Sequence, residues 1–187
     1  IDAQMSRTLS RPLPQGKITQ KQALIFALLL CISSMLILWL LINPLTTILT
    51  FLSLIGYAII YTIYLKRTTP QNIVIGGAAG AAPPVLGWAA VTGEIHSNAM
   101  ILFLIIFLWT PPHFWALAIA KKEDYKKVGL PMLPITHGNA FTRLFIIQYT
   151  IFLVGVTILP YQTGMSGLIY LLTAITLGLI FIWYAFK

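Results

Sequence analysis

Charge is scarce in this sequence of 187 residues: Asp, Glu, Lys and Arg together make up 9%, and four positions are acidic. A soluble domain carries roughly 25% charged residues, so this composition cannot cover a water-facing surface. Cysteine is nearly absent too. Cys31 is the single one and lies inside an apolar run, which excludes a disulfide framework and a thiolate metal site. The N-terminal twenty residues are polar, with no short apolar region and small-residue cleavage site, so no cleavable signal peptide is recognisable. The sequence opens on Ile1 in the middle of a polar segment and reads as a piece of a longer chain.

What is abundant is apolar. Hydrophobic residues make up 58% of the chain and the mean hydropathy is +0.88. Several apolar runs approach the ~20 residues that cross the hydrocarbon core of a bilayer. The expected fold class is all-α, a polytopic transmembrane helical bundle forming one membrane domain over 1–187, with six spans over about 22–42, 46–65, 72–92, 98–120, 143–159 and 166–186. The formal charge of +8 does not point to nucleic acid, because the basic residues sit in short loops beside apolar spans. With six spans the loops alternate sides, and all twelve Lys and Arg then fall on one side, leaving Glu94 and His96 on the other. That separation gives the basic loops the cytoplasmic or matrix side.

Local signals set the boundaries. Thr19 and Gln22 have the spacing of a capping box ahead of the first span, which ends at Asn43-Pro44. The connection to the second span is so short that the two helices are antiparallel neighbours. The third span is interrupted by Gly76, Gly77, Gly80, Pro83, Pro84 and Gly87. Small residues allow close helix approach in lipid and broken helices must face protein, so this span packs inside the bundle. Pro111 and Pro112 predict a kink near Trp109 in the fourth.

Polar chemistry then has two places to sit, the loops 1–21 and 121–142. In the first, Asp2 could hold a divalent cation while Arg7 and Arg11 grip phosphate, or the segment is a plain basic loop. In the second, Asp124 lies among Lys121, Lys122, Lys126 and Lys127, a density that suits a diphosphate with magnesium on the carboxylate and equally suits anchoring to anionic lipid. Helical spacing puts Lys121, Asp124 or Tyr125, and Val128 near one face, with Lys122 and Lys126 beside it. His113 lies inside a span, where an ionisable group calls for a functional explanation: a haem contact, a bond to a substrate carboxylate, or a bond to a neighbouring helix. Trp109 is four residues earlier and shares its face. Phe114 and Trp115 read as packing, Met132 as loop packing and His96 as silent. His137 is either a phosphate contact or a solvated loop residue. Tyr57, Tyr61 and Tyr64 recur at a spacing that could line a cavity, although Tyr64 also fits an interfacial aromatic belt.

Taken together, IDAQMSRTLSRPLP at 1–14, the APP within Gly76–Gly87, WTPPHFWALAI at 109–119 and DYKKVGLPMLPITHG at 124–138 resemble the protohaem IX farnesyltransferase, or haem O synthase, family of the intramembrane aromatic prenyltransferases. The resemblance covers essentially the whole chain. It implies transfer of a farnesyl group from farnesyl diphosphate to a vinyl group of haem B, with haem as substrate and Mg2+ as cofactor. Asp2 matches the last acid of the family's first aspartate-rich motif, whose Asn and middle Asp would precede Ile1. Arg7 and Arg11 match the basic residues after it, and Asp124 the acid of the second polar motif. Ala120 and Val128 depart from the multi-Asp pattern of superfamily relatives. The resemblance thus casts Asp2 and Asp124 as metal ligands and Arg7, Arg11, Lys121 and Lys122 as diphosphate partners. His113, Trp109, Tyr125, Lys126 and Lys127 are the expected haem contacts. It also implies a bacterial plasma membrane, or the mitochondrial inner membrane, as location, and haem-synthesis or terminal-oxidase proteins as partners. Upstream spans and at least one downstream segment are expected to be missing relative to the family. Rival readings are a transporter built on broken helices, a haem-binding oxidase subunit, and a prenyltransferase for a quinone precursor.

Overall fold

A computed structural model describes residues 8–187 of the chain, so Asp2 and Arg7 lie outside the described residues. Every regular element described is helical. Among the described residues six helices are long and apolar enough to cross a membrane: Gln20–Ile42, Pro44–Thr68, Asn72–Thr92, Ser97–Ala120, Gly138–Gln162 and Leu168–Phe186. The fold is an all-α polytopic bundle.

The first span is α1 (Gln20–Ile37) continued by a π-helical turn, Leu38–Ile42. It starts where the capping box places it: the Gln22 amide donates to Thr19 Oγ1 at 3.2 Å and the Thr19 amide to Gln22 Oε1 at 2.8 Å. The second is α2 (Pro44–Ile55), a π-helix over Gly56–Leu65, and the short α3 (Lys66–Thr68). It begins before and ends after the span read from the sequence, because Asn43 caps it and Pro44 fits the first helical position.

The third span is broken as its glycines and prolines require. It consists of α4 (Asn72–Ala81) and α5 (Pro83–Thr92), joined at Ala82 where neither Pro83 nor Pro84 can donate a helical bond. It is also the most enclosed, with 33% of its most apolar stretch buried against 0% for the first, second and sixth spans. α6 (Ser97–Ala120) packs against α4, α5 and α9 and is the axis of the bundle. It remains one helix through Pro111 and Pro112, both fully buried. Gly77 allows its close approach to α4: a Cβ there would stand 3.2 Å from Thr110 Cγ2.

After α6 come two short helices, α7 (Lys122–Lys127) and α8 (Leu133–Thr136). α9 (Gly138–Val156) starts earlier than expected, so the final part of the 121–142 loop is already helical; Gly138 makes the turn at φ +83° and the Thr142 hydroxyl donates back to its carbonyl at 2.8 Å. The fifth span also runs past the expected end, through α10 (Leu159–Gln162), whose second position is Pro160. α11 (Leu168–Phe186) lies along α9, with Gly178 against Val154.

At the end of the bundle away from the basic loops, Asn43 ties three spans together. Its Nδ2 donates to the Ala89 carbonyl at 2.8 Å and its Oδ1 accepts from the Thr46 amide at 2.8 Å. Asn43→Ala removes a helix cap, leaving the Thr46 amide without its side-chain acceptor in a half-buried place and the Ala89 carbonyl with the Gly93 amide alone, at 2.9 Å. The expected loss is about 1–3 kcal/mol, read as a lower melting temperature of the whole protein in detergent; an unchanged melting temperature would show that lipid-side packing alone holds this hairpin.

Candidate functional site

The charged residues 121–127 lie at the basic end, and the local chain explains how that loop is held there. α7 is too short to persist alone. Its C-terminus is closed by a Schellman arrangement: the Gly129 amide donates to the Lys126 carbonyl at 3.1 Å and the Leu130 amide to the Tyr125 carbonyl at 3.2 Å. Gly129 has φ +66°, a backbone state that a side chain would strain. The chain then dives inward. Leu130, Met132 and Leu133 are 3%, 2% and 0% exposed and pack with Ile73, Trp115 and Ile146, while Tyr125 and Val128 close over them. Met132 is therefore loop packing, and the GLPMLP run is an apolar plug beneath the lysines.

On the outer side, Lys121, Lys122, Glu123 and Asp124 line a cleft of about 350 Å³ together with Ile119 and Ala120. Asp124 and Lys122 are half-buried, and Lys122 Nζ donates to Asn139 Oδ1 on α9 at 3.5 Å. Of the predicted lysines, Lys126 and Lys127 are exposed and do not line this cleft. Arg11 lies on an exposed turn whose amide donates to the Thr8 carbonyl at 3.1 Å. Among the described residues no three His, Cys, Asp or Glu side chains gather into a metal cage. A magnesium ion does not need one. It commonly takes one or two carboxylates and completes its shell with phosphate and water, which Asp124 in a lysine-lined cleft would suit.

Trp109 and His113 form a second locus. Their rings stack at 4.2 Å and 14°. Both are exposed, on α6 roughly 10–17 Å below Ala120 by helical rise. Trp109 also borders an apolar cavity of about 400 Å³ between α6, α9 and α11, where Thr157, Tyr170 and Thr173 contribute hydroxyl-bearing side chains. Phe114 and Trp115 turn the other way: Trp115 is fully buried, edge-on to Phe145 and Tyr149 at 6.0 and 5.5 Å, and Phe114 meets Tyr125 at 6.4 Å. His137 stacks on Phe141 and its Nδ1 is 2.8 Å from Thr136 Oγ1. His96 caps α6, accepting from the Asn98 amide at 3.2 Å.

Sequence reasoning passed over Asn72. Asn72 is fully buried at the start of α4; its Nδ2 donates to the Thr69 carbonyl at 2.8 Å and its Oδ1 has no partner. An amide opening an apolar span was the signal available for it. Trp115 Nε1 is likewise buried without an acceptor.

The UbiA prenyltransferase family model matches residues 1–187. The chain is 64% identical over 186 residues to a protein named protoheme IX farnesyltransferase from Methylococcus capsulatus, covering 100% of this chain and 62% of that relative. Relatives of the same name from Ruthia magnifica and Nitrosospira multiformis are 63% and 60% identical, each over 100% of this chain and 63% of theirs. The chain thus spans a little under two thirds of the length of these curated relatives. No solved structure matches.

Two neighbouring residues of one motif should behave oppositely. Trp115→Ala opens a cavity in the core and is expected to cost on the order of 3 kcal/mol, the low end for such truncations because lipid rather than water is the alternative surrounding. His113→Ala, at an exposed position, should change the stability of the whole protein by no more than about 0.5 kcal/mol, read as a nearly unchanged melting temperature.

Proposed function

The chain belongs to the UbiA prenyltransferase family, and from that premise we propose that the whole protein transfers a farnesyl group from farnesyl diphosphate to a vinyl group of haem B, giving haem O and diphosphate. The observation that carries this reading is the cleft in which Lys121 and Lys122 flank Asp124 at the basic end of the bundle, within a chain whose relatives bear the farnesyltransferase name. Lysines at that end suit a diphosphate: they neutralise the charge that grows on it as the bond to the farnesyl carbon breaks. Arg7 and Arg11 would grip the same group from the other loop. Asp124 and Asp2 would hold Mg2+, which supplies further charge neutralisation to the leaving diphosphate.

No side-chain nucleophile is required. The carbon–oxygen bond breaks with its electron pair leaving on diphosphate, and the vinyl π pair of haem forms the new carbon–carbon bond. Water then adds to the cation left beside the pyrrole and loses a proton, giving a farnesylated hydroxyethyl haem. The Trp109–His113 stack presents a flat π surface of the kind a porphyrin packs against, deep enough to keep water from the allylic cation. Tyr125, Lys126 and Lys127, at the membrane surface, would meet the propionate edge of the macrocycle. The collection of Lys and Arg at one end supports a cytoplasmic orientation for those loops in a bacterial plasma membrane, where haem-synthesis and terminal-oxidase proteins would be the suppliers and users of haem.

The test supplies membranes containing the whole protein with haem B, farnesyl diphosphate and magnesium, and reads the haem product by mass. A farnesylated hydroxyethyl haem is expected from the native protein, with at least ~100-fold less from Asp124→Ala. An unmodified haem pool in membranes where the protein is folded would discard this reading, and a prenylated quinone precursor in its place would reassign the acceptor.

A further inference from the structure

Water that adds to the cation beside the pyrrole must give up a proton before the product is neutral, and it does so at the depth of the porphyrin rather than at the charged loop. Few groups at that depth can accept one. Along α6 the one ionisable side chain inside the span is His113, and an ionisable group there is costly enough to call for a use. Glu123 and Asp124 stand beyond Ala120, which is itself roughly 10 Å along the helix axis from His113. Of the hydroxyls bordering the adjacent cavity, those of Thr157 and Thr173 already donate to the carbonyls of Val154 and Ile169 at 2.7 and 2.8 Å. The third belongs to Tyr170, and a phenol is a poor acceptor of a further proton.

The three histidines differ in what their nitrogens do. His96 Nδ1 accepts from the Asn98 amide at 3.2 Å, and His137 Nδ1 lies 2.8 Å from Thr136 Oγ1. Among the described residues neither ring nitrogen of His113 has a hydrogen-bond partner. Its ring plane is set all the same. The stack on Trp109 at 4.2 Å and 14° covers one face and leaves the edge, where both nitrogens lie, open at an exposed position. That stack also suits a charged ring, because an indole face is the best of the aromatic partners for a cation.

We propose that His113 is a catalytic residue, the base that takes the proton of the water adding to the farnesylated haem. A lone pair of the water oxygen forms the bond to the carbon beside the pyrrole. The O–H bond breaks, its electron pair stays on oxygen, and the proton passes to a free ring nitrogen of His113, giving an imidazolium over Trp109. Imidazoles as a class gain and lose a proton near neutral pH, so the ring returns the proton to bulk water before the next turnover. The base also selects the product. Where nothing takes the proton of the attacking water, the cation discharges instead by losing a proton from the adjacent new CH2 to diphosphate or solvent, which leaves a carbon–carbon double bond and no hydroxyl. The assignment rests on the farnesyl-transfer reading and concerns its last step.

The test reads the ratio of two haem products by mass, in membranes containing the whole protein with haem B, farnesyl diphosphate and magnesium. The variant is His113→Gln, which keeps a planar hydrogen-bonding side chain and cannot act as a base. The native protein is expected to give the farnesylated hydroxyethyl haem. His113→Gln should form it about 100-fold more slowly and accumulate a farnesylated haem lighter by one water. His113→Ala should do the same, and added imidazole should shift its product back to the alcohol. A native product ratio in His113→Gln would overturn the assignment whether or not its KM for haem rises, since a residue that only contacts haem changes occupancy and not the ratio. Loss of both products from a folded His113→Ala protein, without rescue by imidazole, would overturn it as well. Absence of farnesylated haem from the native protein would discard the functional reading and this step with it, whereas an unshifted ratio leaves that reading standing.

Discussion

The burial of Leu130, Met132 and Leu133 against Trp115 is the contact on which the polar end of this protein depends. Helices in a bilayer satisfy their backbones internally and gain little from hiding apolar side chains, since lipid is as apolar as they are. A loop at the membrane surface is different. It borders water, so each large apolar side chain it tucks away gains about 1.5–3 kcal/mol relative to exposure. Here the principal cluster of buried residues sits at the loop end of the bundle, where Ile73 from α4 and Ile146 from α9 complete it. The lysines and Asp124 are consequently carried on a lid with its own core.

That arrangement links the scaffold to the chemistry proposed for it. A charged loop anchored only by its ends would sample many orientations, and a diphosphate would have to order it on binding. The Schellman turn at Gly129, the plug beneath it and the Lys122–Asn139 bond order it beforehand. One helix carries both loci. α6 delivers Trp115 into the plug on one face and presents the Trp109–His113 stack on another, so the proposed diphosphate cleft and the proposed haem surface share a rigid element.

Much of this was legible in residues whose chemistry is local. The Thr19–Gln22 cap and the break at Ala82-Pro83-Pro84 depend on spacing and backbone limits alone. The pairing of Trp109 with His113 followed from helical period. What the period could not supply was direction: it places 109 and 113 together but cannot say that they are open while 115 is enclosed, because that depends on where α9 lies. The π-helical stretch at Gly56–Leu65 has no composition signature, so spacing could not say which of three similar tyrosines turns inward; Tyr61 does, its ring against Gly76. Gly129 after two lysines was a readable helix stop, and the loop's fold-back could have been drawn from it.

Hydrogen exchange across 121–137 in the whole protein tests the seated loop most directly. The amides of Leu130, Ile135 and His137 are bonded to the carbonyls of Tyr125, Met132 and Leu133 at 3.2, 2.8 and 2.9 Å; the side chains of 130–135 are buried or half-buried, and those of Thr136 and His137 are exposed. These amides should exchange as slowly as the amides of α6 and α9, without any substrate present. Exchange of the whole segment at the rate of an open chain, slowing only when farnesyl diphosphate is added, would contradict a loop ordered by its own core.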